Sequence, residues 1–190
     1  MRLVAAAEAA ATESVLTCAP DRLILAISTD SHRGGPDAAR AERVRLAAEI
    51  GIGVTTGGDA SATALTAVGA QRIAVVTPYH PIGDQHAREF LEHAGFEVAA
   101  VTGLRGKSAM QIAQLSEDDL RRALIAVDSA DVDALIQVGT NASMVRLAAE
   151  AQRWLGKPVI AHNTALYWHA LRASGIDDRL DGFGSLLRDH

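Results

Sequence analysis

Short aliphatic runs that end in glycine or hydroxyl residues recur along this chain, and stretches with helical character follow them. The two clearest are residues 134–138, which precede Gly139, Thr140 and Asn141, and residues 23–27, which precede Ser28 and Thr29. A near-continuous aliphatic run of this length is typical of a strand buried on both faces, as in parallel sheets. The alternation of such strands with helices predicts an α/β fold with parallel sheets flanked by helices.

The order of strand, hydroxyl turn and helix occurs twice, which predicts two pseudo-symmetric lobes within a single unit covering residues 1–190. Lobe 1 is expected at about residues 1–70 together with the C-terminal helix region 163–190, and lobe 2 at about residues 71–162. No linker, low-complexity segment or long charge run divides the chain. Two similar lobes would bring their hydroxyl turns to face one central cleft.

The turn at residues 138–141 is predicted to pass directly from strand to helix. The first N–H groups of a helix lack intrahelical partners and carry partial positive charge, which suits a carboxylate or a phosphate. Thr140 and Asn141 would add side-chain donors beside them. Simple N-capping of the helix by either residue is the alternative interpretation. Two such turns facing one cleft would fit a small diacid or an amino acid.

Other segments are interpreted from local signals. Residues 77–83 are expected to form a loop stiffened by two prolines, with a helix beginning at Gln85. Tyr167 and Trp168 are expected in the core, and residues 183–187 as a short apolar docking segment. Residues 103–108 are basic and contain glycine, but they lack the spacing of a phosphate-binding loop, so no nucleotide cofactor is expected.

Composition excludes several classes of protein. The formal net charge of −5 leaves no basic excess for nucleic acid. Charged or polar residues interrupt every apolar run before it reaches membrane-spanning length. A single cysteine, Cys18, rules out an intramolecular disulfide, fits a cytoplasmic location and is interpreted as a packing residue. His86 and His93 lack carboxylate or thiol companions, so no metal site is expected.

The chain resembles the aspartate/glutamate racemase superfamily, in the branch that contains maleate isomerases and arylmalonate decarboxylases. The similar stretches are residues 20–29, 53–56, 74–79, 95–98, 139–141 and 156–171. The resemblance implies two α/β lobes around a cleft that binds a small carboxylic acid without a cofactor. It also implies a substrate-binding role for six residues: Ser28, Thr29, Tyr79, Gly139, Thr140 and Asn141.

The chain departs from this superfamily at the two positions where catalytic cysteines are typical. Ile27 stands at the first and Gly139 at the second, whereas decarboxylase relatives lack only the first thiol. Neither residue can act as acid, base or nucleophile, so any catalysis is expected to be thiol-independent. His162 is the best acid–base candidate by residue type, with a turn histidine bonded to backbone as the alternative. Asp30 is interpreted as a cap, or as a base if its pKa is raised.

Relatives begin with a strand that this chain is expected to lack, since residues 1–17 read as the following helix. Either lobe 1 rearranges, a partner chain covers the gap, or native residues precede Met1. An uncovered sheet edge predicts a homodimer. Three functions remain open: an enzyme acting on a small carboxylate, a catalytically silent carboxylate-binding relative serving as sensor or partner subunit, and a truncated member without function.

Overall fold

The computed structural model describes residues 2–26 and 35–190 of the chain. Strands and helices alternate in it as follows: α1 (Arg2–Leu16), β1 (Arg22–Leu25), α2 (Gly35–Ile50), β2 (Gly53–Thr56), α3 (Gly57–Ala67), β3 (Arg72–Thr77), α4 (Pro81–His93), β4 (Glu97–Gly103), α5 (Ala109–Ala113), α6 (Glu117–Val127), β5 (Ala134–Gln137), α7 (Val145–Leu155), β6 (Val159–Ala161), α8 (His162–Ala173) and α9 (Ser185–Asp189). The predicted α/β architecture is confirmed.

The strands form two parallel sheets. β1 and β2 make a two-stranded sheet, and the other four strands make a sheet in the order β4-β3-β5-β6. Every pair is parallel, with Leu23 opposite Val54 in the small sheet and Ile136 opposite Ile160 in the large one. The prediction of parallel sheets flanked by helices is therefore confirmed.

The order of the large sheet gives a topological switch point at its carboxyl edge, where a crevice is expected. The chain runs from β3 outward to β4, then returns to β5 on the other side of β3 and continues outward to β6. β3 and β5 are therefore neighbours whose following segments lead away in opposite directions. Such a topological switch point is where open α/β sheets bind their ligands. Here it lies between residues 77–79 and residues 138–140.

Helices cover both faces of the large sheet, so its two central strands are buried except at Arg72, the first residue of β3. Ile73, Val75 and Ile136 belong to one apolar cluster, together with side chains of α3, α4 and α8. Ala74 and Leu135 point to the opposite cluster, beneath α6 and α7. The alternation follows from the two-residue period of a strand, and it explains why these runs contain so few polar residues.

The small sheet has much less apolar support. Its buried cluster consists of Leu23, Leu46 and Val54, and β1 has a paired neighbour on one edge only within the described part of the chain. Of the side chains described in α1, from residue 7 to residue 16, only Thr12 is buried. Most of the described surface of this helix, from residue 7 to residue 16, is therefore exposed.

Several local expectations were wrong. Cys18 is exposed in the turn after α1 and is not a packing residue. Tyr167 is 51% exposed, although its neighbour Trp168 is buried as predicted. Proline at the first helical position lets α4 begin at Pro81 rather than Gln85, because the missing N–H would have no partner there. Within the predicted docking segment Leu186 and Leu187 are buried, while Phe183 is 44% exposed.

Candidate functional site

Pro78 and Gly139 meet across the crevice between β3 and β5. Gly139 adopts a φ of 124°, a conformation that residues with a Cβ rarely take. A Cβ built on Gly139 would lie 2.7 Å from both Cγ and Cδ of Pro78. The backbone at the second cysteine position is thus shaped for glycine, and a side chain there would force Pro78 or the turn to move.

Thr140 joins this turn to the small sheet. Its Oγ1 donates a hydrogen bond of 3.0 Å to the carbonyl oxygen of Ala26, the residue that follows β1. The carboxyl ends of β1 and β5 therefore approach one another. Ser28 and Thr29, predicted to bind substrate, lie outside the described residues, as do Ile27 and Asp30.

The turn after β5 is held by side chains rather than by helix geometry. Residues 138–144 separate β5 from α7, so the predicted helix start at Thr140 or Asn141 is wrong. The N-cap of α7 is Met144, which makes no side-chain capping bond. The two side chains proposed as caps bind elsewhere: Thr140 to Ala26, and the Asn141 amide to the carbonyl of Ala109 at 3.4 Å.

Two further amides fix the same turn, and sequence reasoning missed both. Gln137 Nε2 donates to the carbonyl of Gly139 at 2.7 Å from a completely buried position. Asn163 Nδ2 donates to the carbonyl of Thr140 at 2.9 Å from the first turn of α8. Gln137 was detectable in principle, because a buried glutamine at the end of an aliphatic strand needs hydrogen-bond partners.

Tyr79 lies on the opposite wall of the crevice, in the segment after β3. Its N–H donates to Thr77 Oγ1 at 3.1 Å, and its carbonyl accepts from the backbone and the guanidinium of Arg105, each at 3.2 Å. Arg105 also pairs with Asp84, whose carboxylate accepts the Thr77 hydroxyl as well. The arginine sits at a φ of 59°, uncommon for a residue with a side chain. It adds a cation beside the Tyr79 segment.

His162 does not line the crevice. It is the first residue of α8 and is completely buried, with Nδ1 3.3 Å from Ser61 Oγ. Its backbone N–H donates to Gln137 Oε1 at 3.5 Å. A general base must come within hydrogen-bond reach of its substrate, which this burial prevents. His162 therefore helps to hold Gln137 and the turn after β5 in place. Its position gives no support to a role as the acid–base residue.

His169 is a second histidine near the small sheet. Its Nδ1 is 3.1 Å from the hydroxyl of Thr55 on β2. Burial lowers the pKa of His169 below its ordinary value, and the positive charges of Arg22 and Arg43 act in the same direction, whereas Asp59 opposes them. Across residues 2–26 and 35–190, no three histidine, cysteine or acidic side chains are grouped as a metal ion would require.

Comparisons with known proteins agree with this architecture. Maleate isomerase of Nocardia farcinica is 28% identical over 185 residues, which cover 92% of this chain and 72% of that protein. A structure of the Nocardia farcinica maleate cis-trans isomerase, a cysteine-to-serine variant with a covalently bound succinylcysteine intermediate, superimposes with a TM-score of 0.92 at 25% identity, over 97% of this chain and 78% of that one. Arylmalonate decarboxylase shares the fold at a TM-score of 0.82 and 22% identity, over 92% and 78% of the two chains.

The protein is thus an α/β protein with the fold of maleate isomerases and arylmalonate decarboxylases. It belongs to the arylmalonate decarboxylase family, whose model matches residues 23–187. The predicted relationship to this branch of the superfamily is confirmed. In the described part of the chain, no helix is both long and apolar enough to span a bilayer.

Proposed function

We propose that this protein binds a small mono- or dicarboxylic acid in the crevice between β3 and β5, and that any catalysis there proceeds without a thiol or a cofactor. The binding residues would be Ser28 and Thr29 after β1, Tyr79 after β3, and Gly139, Thr140 and Asn141 after β5. The observation that carries the proposal is the hydrogen bond from Thr140 to Ala26, which brings the carboxyl end of β1 to the switch point of the large sheet.

The chemistry of these groups suits a carboxylate. Hydroxyl and amide side chains donate hydrogen bonds to carboxylate oxygens, whereas the charge of Arg105 beside Tyr79 is already paired with Asp84. Each hydrogen bond to a charged group contributes about 1.5–3 kcal/mol, from which the cost of immobilising the ligand is subtracted. The Thr140 proton now bonds Ala26, and rotation about the C–O bond would redirect it to a ligand oxygen. Millimolar affinity is therefore the expected range.

Two functions remain in view. One is isomerase or decarboxylase chemistry on a small acid, in line with the family. The other is a catalytically silent relative that binds the acid as a sensor or as a subunit beside an active paralogue. The silent relative is favoured because neither Gly139 nor His162 supplies an acid–base group to the crevice. Gly139 has no side chain and a backbone conformation suited to glycine, and His162 is completely buried.

The test is calorimetric titration of maleate and of malonate into the wild type and into Thr140→Val. We expect the variant to bind about tenfold more weakly, the equivalent of about 1.4 kcal/mol. Thr66→Val is the matched control, since Thr66 is exposed and bonds only the Ala62 carbonyl of its own helix. Equal affinity in Thr140→Val and the wild type would remove the anion site from consideration. So would the absence of binding at millimolar ligand.

Proton NMR of the protein incubated with maleate, and separately with an arylmalonate, distinguishes the two functions. Conversion of maleate to fumarate, or loss of carbon dioxide from an arylmalonate, would show an enzyme. Binding without either reaction would identify the silent relative.

We also propose that the protein is a cytoplasmic homodimer, each chain being one unit with lobes at about residues 1–70 plus 163–190 and at 71–162. Within residues 2–26 and 35–190, β1 is unpaired on one edge and the described side chains of α1 are mostly exposed; both features support the dimer, because they leave surface for a second copy to cover. Sedimentation velocity at micromolar protein tests it, and a single monomeric species would contradict it.

A further inference from the structure

A second cavity, of about 190 Å³, lies between α7, α8 and the C-terminal segment 180–187. It is distinct from the crevice between β3 and β5. Its lining is mainly apolar, with two polar residues from the first turn of α8: Val145, Asn163, Thr164, Tyr167, Leu180, Phe183 and Leu187. We propose that this cavity binds a small neutral molecule that has an aromatic or branched aliphatic body and one hydroxyl group.

The first argument is the hydroxyl of Thr164. The residue is 5% exposed, and among the described residues its Oγ1 is buried without a hydrogen-bond partner. A buried hydroxyl in this state destabilises the protein that contains it. Because Oγ1 is buried, contact with a ligand requires a change in χ1 that turns it toward the cavity, and threonine in a helix has two accessible rotamers. A ligand hydroxyl would supply the missing partner.

The second argument is Asn163, which also lines the cavity. Its Nδ2 donates to the carbonyl of Thr140, and this bond orients the carboxamide. The carboxamide oxygen remains an acceptor for a ligand hydroxyl. A hydroxyl can donate to Asn163 and accept from Thr164 at once, which matches one polar group on an otherwise apolar ligand.

The third argument is the character of the walls. None of the lining residues carries a full charge near neutral pH, so a carboxylate or phosphate would lose hydration without gaining a counter-charge. Tyr167 and Phe183 are 51% and 44% exposed as whole residues. Large aromatic side chains at the mouth of a small cavity give up exposed apolar area when a ligand covers them. The site therefore selects a neutral, partly apolar molecule.

The C-terminal wall is held firmly, so the cavity is part of the folded structure. The Arg172 guanidinium donates to the carbonyls of Ile176, Asp178 and His190 at 2.7, 3.1 and 2.9 Å. The N–H of Leu180 donates to the Leu187 carbonyl at 2.9 Å. A preformed site loses less conformational entropy when it binds. Because Asn163 also holds Thr140, a molecule in this cavity would act on the turn that borders the proposed carboxylate site.

The test uses phenol as the probe, in ¹H–¹⁵N NMR titrations of the whole chain. With millimolar phenol we expect concentration-dependent, saturable shifts at the amides of residues 163–167 and 180–187. Thr164→Val keeps the side-chain volume and removes the hydroxyl. We expect it to weaken phenol binding about fivefold and, without ligand, to raise Tm by about 2–4 °C. Thr66→Val, whose hydroxyl already has a partner, is expected to leave both values unchanged.

Measuring both Tm and the affinity for phenol distinguishes a ligand site from a hydroxyl with a purely structural role. A structural role predicts a lower Tm for Thr164→Val and no change in the affinity for phenol, and that result would overturn the proposal. Saturation without shifts at residues 163–167 and 180–187 would overturn it too. Neither measurement uses a carboxylate, so the outcome is independent of the function proposed for the crevice.

Discussion

The pairs β5–β6 and β1–β2 share the same order of strand, turn and helix, yet they are supported very differently. β5 has a hydrogen-bonded neighbour on each edge, and Ala134, Leu135 and Ile136 are completely buried. β1 is paired only with β2 in the described residues, and its Ile24 is 37% exposed. A similar local pattern thus yields a central strand in one region and an edge strand in the other. The candidate site lies where the well-supported region meets the weakly supported one.

The largest expected effect is on the core of the large sheet. Ile136→Ala should lower the free energy of unfolding by about 3–5 kcal/mol, because it leaves a cavity that packed neighbours cannot fill. Leu23→Ala on β1 should cost about 2 kcal/mol or less, because fewer buried side chains surround it. Urea denaturation of both variants measures the difference. Equal losses would mean that the two sheets are supported alike.

The second-largest loss of stability is expected from a substitution in the turn after β5. Gly139→Ala should destabilise the protein by about 2–3 kcal/mol, through its positive φ and the clash with Pro78. Gly156→Ala is the control. Its φ of 71° is also positive, but no atom lies within 4 Å of the added Cβ, so only the conformational cost of about 1 kcal/mol remains. If the two variants unfold at the same urea concentration, the clash with Pro78 contributes nothing to the loss of stability.

The Gly139→Cys variant tests the same contact by its effect on maleate isomerisation activity. A thiol placed there should yield a destabilised protein without maleate isomerisation, because the backbone would have to move away from Pro78. Proton NMR of maleate turnover is the measurement. Wild-type stability together with new activity would show that the crevice accepts a side chain at this position.

A smaller effect is expected where the two regions meet. Thr140→Val removes the hydrogen bond to Ala26, a loss of about 0.5–1.5 kcal/mol. The loss should appear as faster amide hydrogen exchange in β1, with little change in β5, because β5 keeps both of its neighbours. Uniform acceleration in both strands would show that the two regions open together.

The smallest effect concerns pH and falls on the small sheet. Because burial lowers the pKa of His169 below 6.5, the unfolded chain takes up this proton first. Its contribution to stability is complete above about pH 6.5, declines as the pH falls toward the folded-state pKa, and is constant below that value. His169→Gln should therefore reduce the drop in urea midpoint between about pH 7 and about pH 5.

Sequence alone predicted the elements whose signals are local. Aliphatic runs correctly identified β1 and β5 as strands, although β1 is only partly buried and its Ile24 is exposed. The path of the chain through residues 138–144 was not predictable in this way. That path depends on Pro78, which is distant in sequence, and on the amides of Gln137 and Asn163. Exposure of Tyr167 and Cys18 likewise depends on which elements pack beside them.

The contact between Pro78 and Gly139 makes the two positions epistatic. Because a side chain at position 139 collides with the proline ring and also requires a different backbone angle, substitutions at the two positions should not act additively. A cysteine placed at position 139 alone would give a less stable protein, and a stability threshold removes such intermediates from a population. A variant with a thiol at this turn would therefore need a compensating change at position 78.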